Sequence, residues 1–160
     1  MYNSKEYRLG IGIMMINDKN EIFLGNRSPL KNKKNYFTMP QGGILSSHEI
    51  PYITMCRELY EEIGLKMSQH CYFIAKSKYW YRYEFPHNFK YMNKYKGQMQ
   101  QWFLIKFIGK ESDIKLNLTT PQEFHSYIWS KDFSKHISKV KYKLYNTIYN
   151  ELSKYIKPNI

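Results

Sequence analysis

Three features of this 160-residue chain predict an α/β fold, a sheet with helices packed against its faces. Apolar, β-prone runs stand near the start (residues 8–16, RLGIGIMMI) and past the middle (residues 98–108, QMQQWFLIKFI). A short helix between them is bounded by Pro51 and Gly64, and a longer amphipathic helix closes the chain. With 42% hydrophobic and 18% aromatic residues, one ordinary domain can bury a real core, which excludes disorder as the main state.

Residues 8–16 read as a strand, 17–20 as a turn and 21–25 as the returning strand of a hairpin. A polar, lysine-rich loop over 28–35 leads to a short strand at 36–39, and Pro40, Gln41, Gly42 and Gly43 lead into the first helix. Pro51 suits its first turn, where a missing N–H costs nothing, and Gly64 suits a left-handed residue just past its end. Ile53, Cys56, Tyr60 and Ile63 supply its apolar stripe. Residues 71–83 are aromatic and β-prone, 84–96 form an extended loop with Pro86, and 124–129 make a last short strand. From about 132 to 154, Ile137, Val140, Leu144, Ile148 and Leu152 recur at helical spacing, with Lys139, Lys141 and Lys143 largely off that stripe. No internal repeat or linker divides the chain, so one domain over 1–160 is expected, with its core at about 7–155.

No apolar run reaches membrane-spanning length, and residues 1–10 lack the apolar core of a secretion signal, so the cytoplasm is the expected location. Cys56 and Cys71 lack C-x-x-C spacing and read as buried free thiols. Trp80 and Trp102 read as core residues rather than base-stacking platforms. None of the five histidines has metal-ligand spacing, which leaves a zinc hydrolase unsupported. The net charge of +12 is nearly all lysine; Arg8, Arg27, Arg57 and Arg82 are the only arginines. Such a chain attracts polyanions, and its few guanidinium groups suit bidentate phosphate recognition.

The acids are scarce, 13 in all, yet Glu58, Glu61 and Glu62 fall at i, i+3 and i+4 on one helical face. An E-x-x-E-E run is most often a solvated surface. Here the acids crowd near a helix C-terminus, where the dipole disfavours them, and they should repel unless a cation sits among them. That broken local rule points to function.

Gly43, Glu49, Arg57, Glu58, Leu59, Glu61, Glu62, Gly64 and Leu65 match G-x5-E-x7-R-E-U-x-E-E-x-G-U, with U aliphatic, at every fixed position. At roughly one chance in fifteen per fixed residue type, the match is not accidental. This segment resembles the Nudix box. The resemblance implies an α/β/α sandwich with a mixed sheet, and cleavage of a nucleoside diphosphate linked to another moiety with Mg2+ or Mn2+. Further similarity runs through Tyr7-Arg8, Pro40 to Ile44 (PQGGI), Trp80 to Tyr83 (WYRY), Gly97 to Phe103 (GQMQQWF) and Pro121 to Phe124 (PQEF). Together these look like the bacterial RNA pyrophosphohydrolases and the related dinucleoside polyphosphate hydrolases.

That family trims 5′-triphosphate RNA to the monophosphate, initiating mRNA decay, and many members split diadenosine polyphosphates such as Ap4A or Ap5A. Carried onto this sequence, the resemblance implies metal held by Glu58, Glu61, Glu62 and Glu123 with a backbone carbonyl at Gly42 or Gly43. Glu58, Glu62 and Glu123 are the catalytic candidates, with the general base Glu58 or Glu62. Arg8, Arg27, Tyr83, Gln98, Gln100 and Lys141 are the substrate-binding candidates; Gly43, Glu49, Arg57 and Gly64 are structural support. Val140 stands where relatives carry an aromatic that helps sandwich an RNA base, and Met99 and Gln101 stand where lysines are usual. The expected partner is 5′-triphosphate RNA or a dinucleoside polyphosphate, with no membrane and a monomer the favoured state. A Nudix fold that binds RNA without hydrolysis is the rival from another class, and the intact carboxylate cluster argues against it.

Overall fold

The computed structural model describes residues 5–29, 36–85 and 94–158. Among them eight strands form one mixed sheet: β1 (Tyr7–Ile16), β2 (Ile22–Asn26), β3 (Phe37–Thr38), β4 (Gln41–Gly43), β5 (Cys71–Lys76), β6 (Tyr81–Glu84), β7 (Gly97–Phe107) and β8 (Ser126–Ser130). The helices are α1 (Pro51–Ile63), the one-turn α2 (Met67–His70) and α3 (Lys139–Leu152). The sheet runs β3-β2-β1-β7-β5, with β4 also on β1, β6 on β7 and β8 on β2. Its spine is the parallel pair β1 and β7, in register from Tyr7 opposite Gly97 to Ile16 opposite Lys106; the other pairings are antiparallel. The expected hairpin closes at Ile16 opposite Ile22, with Asn20 in the left-handed region that asparagine tolerates.

Side chains alternate across a strand, so β1 and β7 feed two cores. Met14, Ile16, Trp102 and Leu104 pack with Tyr145, Ile148 and Leu152 of α3. Ile11, Ile13, Met15, Phe103 and Ile105 pack with Met55, Leu59 and Ile63 of α1. One helix therefore covers each face, which is the expected α/β/α sandwich. Each fully buried large apolar side chain stabilises it by about 1.5–3 kcal/mol. No helix among the described residues is long and apolar enough to cross a membrane.

Pro51 opens α1, and Gly64 ends it at φ 78°, its N–H closing on the Tyr60 carbonyl at 2.8 Å. The apolar stripe is corrected: the core takes Met55, Leu59 and Ile63, while Ile53 and Tyr60 are exposed and Cys56 is half-buried. α1 carries apolar residues on two overlapping faces, and the buried face is the one that also carries Glu62.

α3 also starts later than its periodicity suggested. Ser138 caps it, its hydroxyl accepting the Lys141 N–H, and residues 133–135 and 153–155 are 3-10 turns. Val140 is 71% exposed, and the buried stripe runs through Tyr145, Ile148 and Leu152. Trp102 is fully buried as expected, but Trp80 is only half-buried. Both cysteines are free thiols; Cys71 is buried, which pushes its thiol up to about 12. The loop expected at 28–35 lies outside the described residues from 30 onward, as do 86–93 of the loop expected at 84–96.

Candidate active site

A cavity of about 560 Å³ opens where β1, β4, β6 and β7 end beside α1 and α3. Strand register fills one wall: Arg8 of β1 and Tyr83 of β6 both stand opposite Gln98 of β7, so three candidates from distant sequence form a row. Arg27 follows β2, Glu123 precedes β8, and Lys141 comes from the first turn of α3. Glu58 and Glu62 enter from α1 over Gly42, where any β-carbon would collide with the Glu58 carboxylate. A larger residue there would push the Glu58 carboxylate out of the space it occupies over the floor.

Glu62 is 7% exposed, and among the described residues its Oε2 has no hydrogen-bond partner. Burial, then repulsion from Glu58 and Glu123, raises its carboxyl well above the ordinary range, against Arg27 and the Gln41 backbone N–H. Burial also raises the Glu58 carboxyl, opposed mainly by Arg57. Lys141 is pushed down to about 8 by burial and by Arg27, with Glu123 pulling the other way.

The repulsion among the α1 acids is relieved by a neighbour. Arg57 donates from Nη1 to Glu58 at 2.8 Å and to Glu61 at 3.2 Å, from Nε to Glu49 at 2.8 Å, and from Nη2 to the Gly43 carbonyl at 2.8 Å. The cation thought necessary among the acids is thus already present as a guanidinium. The loop before α1 folds back, so Glu49 reaches Arg57 and also accepts the Leu45 N–H at 2.8 Å; Arg57 and that bond hold its carboxyl down at about 2.

The cavity gathers Arg8, Arg27, Gly43, Glu58, Glu62, Tyr83, Gln98, Glu123 and Lys141 from among the expected residues. Glu61 is not among its lining: its side chain is 42% exposed and turned to Arg57. Gln100 is fully buried behind the wall, donating to Gln98 at 2.8 Å and Gln41 at 3.1 Å. Glu49, Arg57 and Gly64 also lie off the lining, Glu49 and Arg57 as the clamp and Gly64 at the far end of α1. Gln41, Tyr145 and the stripe residues Val140 and Leu144 line the cavity without having been expected as site residues. The signal that points to Tyr145 is its place one turn beyond Lys141; 141, 145, 148 and 152 fit a helical period as well as 140, 144, 148 and 152, and spacing alone does not choose between the two.

The donor set fits a hard divalent cation: carboxylate oxygens, one of them buried and unpartnered, beside a glycine floor. Among the described residues no three His, Cys, Asp or Glu side chains already converge as a metal cage. A metal must compete with Arg57 for Glu58 and Glu61, and with Arg27 for Glu123, whose carboxylate it grips.

The NUDIX domain family matches residues 6–131. The chain is 38% identical over 155 residues to the RNA pyrophosphohydrolase of Orientia tsutsugamushi (strain Boryong), covering 94% of this chain and 92% of that one. It is 40% identical over 156 residues to that of Rickettsia africae (strain ESF-5), with the same coverage. Among solved structures it is similar to a C. elegans Ap4A hydrolase binary complex (TM-score 0.60, 16% identity, 91% of this chain and 96% of that one). An E. coli dihydroneopterin triphosphate pyrophosphohydrolase gives a TM-score of 0.60 at 15% identity, over 89% of this chain and 99% of that one. At those identities the structural likeness speaks for the fold.

Proposed function

The chain belongs to the Nudix family, and from that premise we propose that it is a metal-dependent RNA pyrophosphohydrolase, converting 5′-triphosphate RNA ends to the monophosphate and so initiating mRNA decay. The observation that carries this reading is one cavity holding a buried carboxylate, with one oxygen unpartnered among the described residues, together with Arg8, Arg27 and Lys141. Relatives named RNA pyrophosphohydrolase, matched over nearly their whole length, support it over a smaller substrate. The protein would work as a single domain over 1–160, as a monomer in the cytoplasm.

Glu58, Glu62 and Glu123 would hold Mg2+, or Mn2+ in its place, with Glu61 and the Gly43 carbonyl available once Arg57 releases them. The ion supplies neutralisation of phosphate oxygens and a lowered pKa for water. The residues do the rest. Arg27, Arg8 and Lys141 bind and orient the polyphosphate, and Tyr83 and Gln98 face the first nucleotides from the strand wall. Gln100 acts through Gln98. A water oxygen attacks phosphorus, the anhydride P–O bond breaks, and the water proton passes to a carboxylate. Glu62 is the stronger candidate for that base, supported by its free oxygen and upward-pushed carboxyl; Glu58 is already engaged by Arg57.

Incubation with Mg2+ and either 5′-triphosphate RNA or diadenosine tetraphosphate tests the reading, with parallel Mn2+ reactions. Pyrophosphate, or successive phosphates, with 5′-monophosphate RNA is the expected result. ATP plus AMP with no RNA turnover would replace it with a dinucleoside polyphosphate hydrolase, and retained RNA affinity without any product would make it a binding module.

A further inference from the structure

Residues 39–43 form the floor beneath Glu58 and Glu62, and three parts of the molecule grip it. From β1, the Ile13 N–H donates to the Pro40 carbonyl at 2.8 Å, and Gly10, Ile11 and Gly12 pair with Gly43, Gly42 and Gln41. From α1, Arg57 donates to the Gly43 carbonyl, Glu62 accepts the Gln41 N–H, and Glu58 fills the space over Gly42. From α3, the Tyr145 hydroxyl accepts the Met39 N–H at 3.1 Å.

That last bond joins the closing helix to the floor. Met39 lies between β3 and β4, outside either ladder, and Pro40 after it has no N–H to give. A buried backbone donor left without a partner is costly, and Tyr145 meets that need from across the core. Packing alone does not call for tyrosine. The ring is fully buried, edge-on to Trp102 at 5.5 Å and to Phe133 at 6.3 Å, contacts a phenylalanine would keep. Tyr145 also stands one turn after Lys141, and both line the cavity.

We propose that Tyr145 is a positioning residue: its hydroxyl ties α3 to the 39–43 floor and keeps the α1 carboxylates in register with the cations that face them across the cavity. What the cavity then hydrolyses rests on the function proposed above; the tether does not.

Tyr145→Phe in the full chain tests it, since the ring contacts survive and only the hydroxyl goes. Amide exchange at Met39 and Gln41 should quicken. Direct Mn2+ binding, read without substrate, should weaken by about tenfold, and kcat on 5′-triphosphate RNA should fall by about as much, the usual cost of losing a group that orients metal ligands. KM should stay within about twofold, because the phosphate-binding cations are untouched. Ile148→Val, one turn further along α3 and equally buried, loosens the helix without touching the tether and should keep Mn2+ affinity and kcat. Wild-type Mn2+ affinity and kcat in Tyr145→Phe would overturn the proposal, and so would equal losses in Ile148→Val. If the wild type hydrolyses no polyphosphate, the functional reading fails while the exchange and Mn2+ arms still decide the tether.

Discussion

Glu62 is held where a charge is disfavoured, buried, beside Glu58 and Glu123, and with one oxygen unpartnered among the described residues. A group whose carboxyl is raised by folding stabilises the protein fully below its unfolded value near 4.5 and loses that contribution as pH rises through its folded value. At neutral pH without metal, Glu62 therefore costs stability. Glu62→Gln should lower kcat by about a hundredfold or more, as expected when a group acting in the transition state is removed. Its thermal midpoint without metal should equal or exceed that of the wild type, and stabilisation by Mg2+ should shrink. Calorimetry with and without Mg2+ checks both, and a wild-type rate in this variant would remove Glu62 from the chemistry. Lys141 gives a second prediction. Held at about 8, it is cationic below that pH and neutral above, so kcat/KM for a polyphosphate should fall as pH climbs through about 8. Lys141→Arg keeps its charge and should flatten that limb; an unchanged limb would assign it to another group.

At the scale of elements, the loop before α1 and the helix itself are one clamp built on Arg57. Glu49 is held down at about 2 by that contact, so its share of stability is fully present above about 4.5 and is lost as pH falls toward about 2. The stability gap between wild type and Glu49→Gln, followed by urea unfolding, should hold constant above about pH 5 and close on acidification. A gap that stays open in acid would mean that the clamp works through packing rather than charge. This clamp was readable in sequence, since Glu49 and Arg57 sit at fixed places in a recognisable run, and so were the ends of α1, because Pro51 and Gly64 act through backbone geometry alone. The buried side of α1 was not. Ile53, Cys56 and Tyr60 make as good a stripe as Met55 and Leu59, and only the sheet beneath decides between them. Nor was it legible that Arg57, adjacent in sequence to Glu58, would serve as the counter-ion of the acids, or that α3 would bury Tyr145 while leaving Val140, at the same cavity, largely exposed. Periodicity specifies a helix and leaves its rotation open by about one residue.

Over the whole molecule, the cavity and the chain differ in charge. Arg8, Arg27 and Lys141 in the cavity face Glu58, Glu62, Glu84 and Glu123, so the site is not itself strongly basic. The excess of +12 is carried elsewhere, mostly on exposed lysines. A short substrate confined to the cavity should feel the local cations, whereas a long RNA also brings downstream phosphates within reach of the outer lysines and releases more counterions on binding. Raising monovalent salt from about 50 to 200 mM should therefore lower kcat/KM about threefold to tenfold more for a long 5′-triphosphate RNA than for a dinucleotide with the same 5′ end. Arg27→Ala should raise KM for both substrates by a similar factor and leave their salt slopes apart, because it removes a contact that both share. Steady-state rates across a salt series for both lengths, in wild type and Arg27→Ala, provide the measurement. If the two slopes coincide in the wild type, the lysine-rich surface has no part in gathering RNA, and recognition ends at the cavity rim.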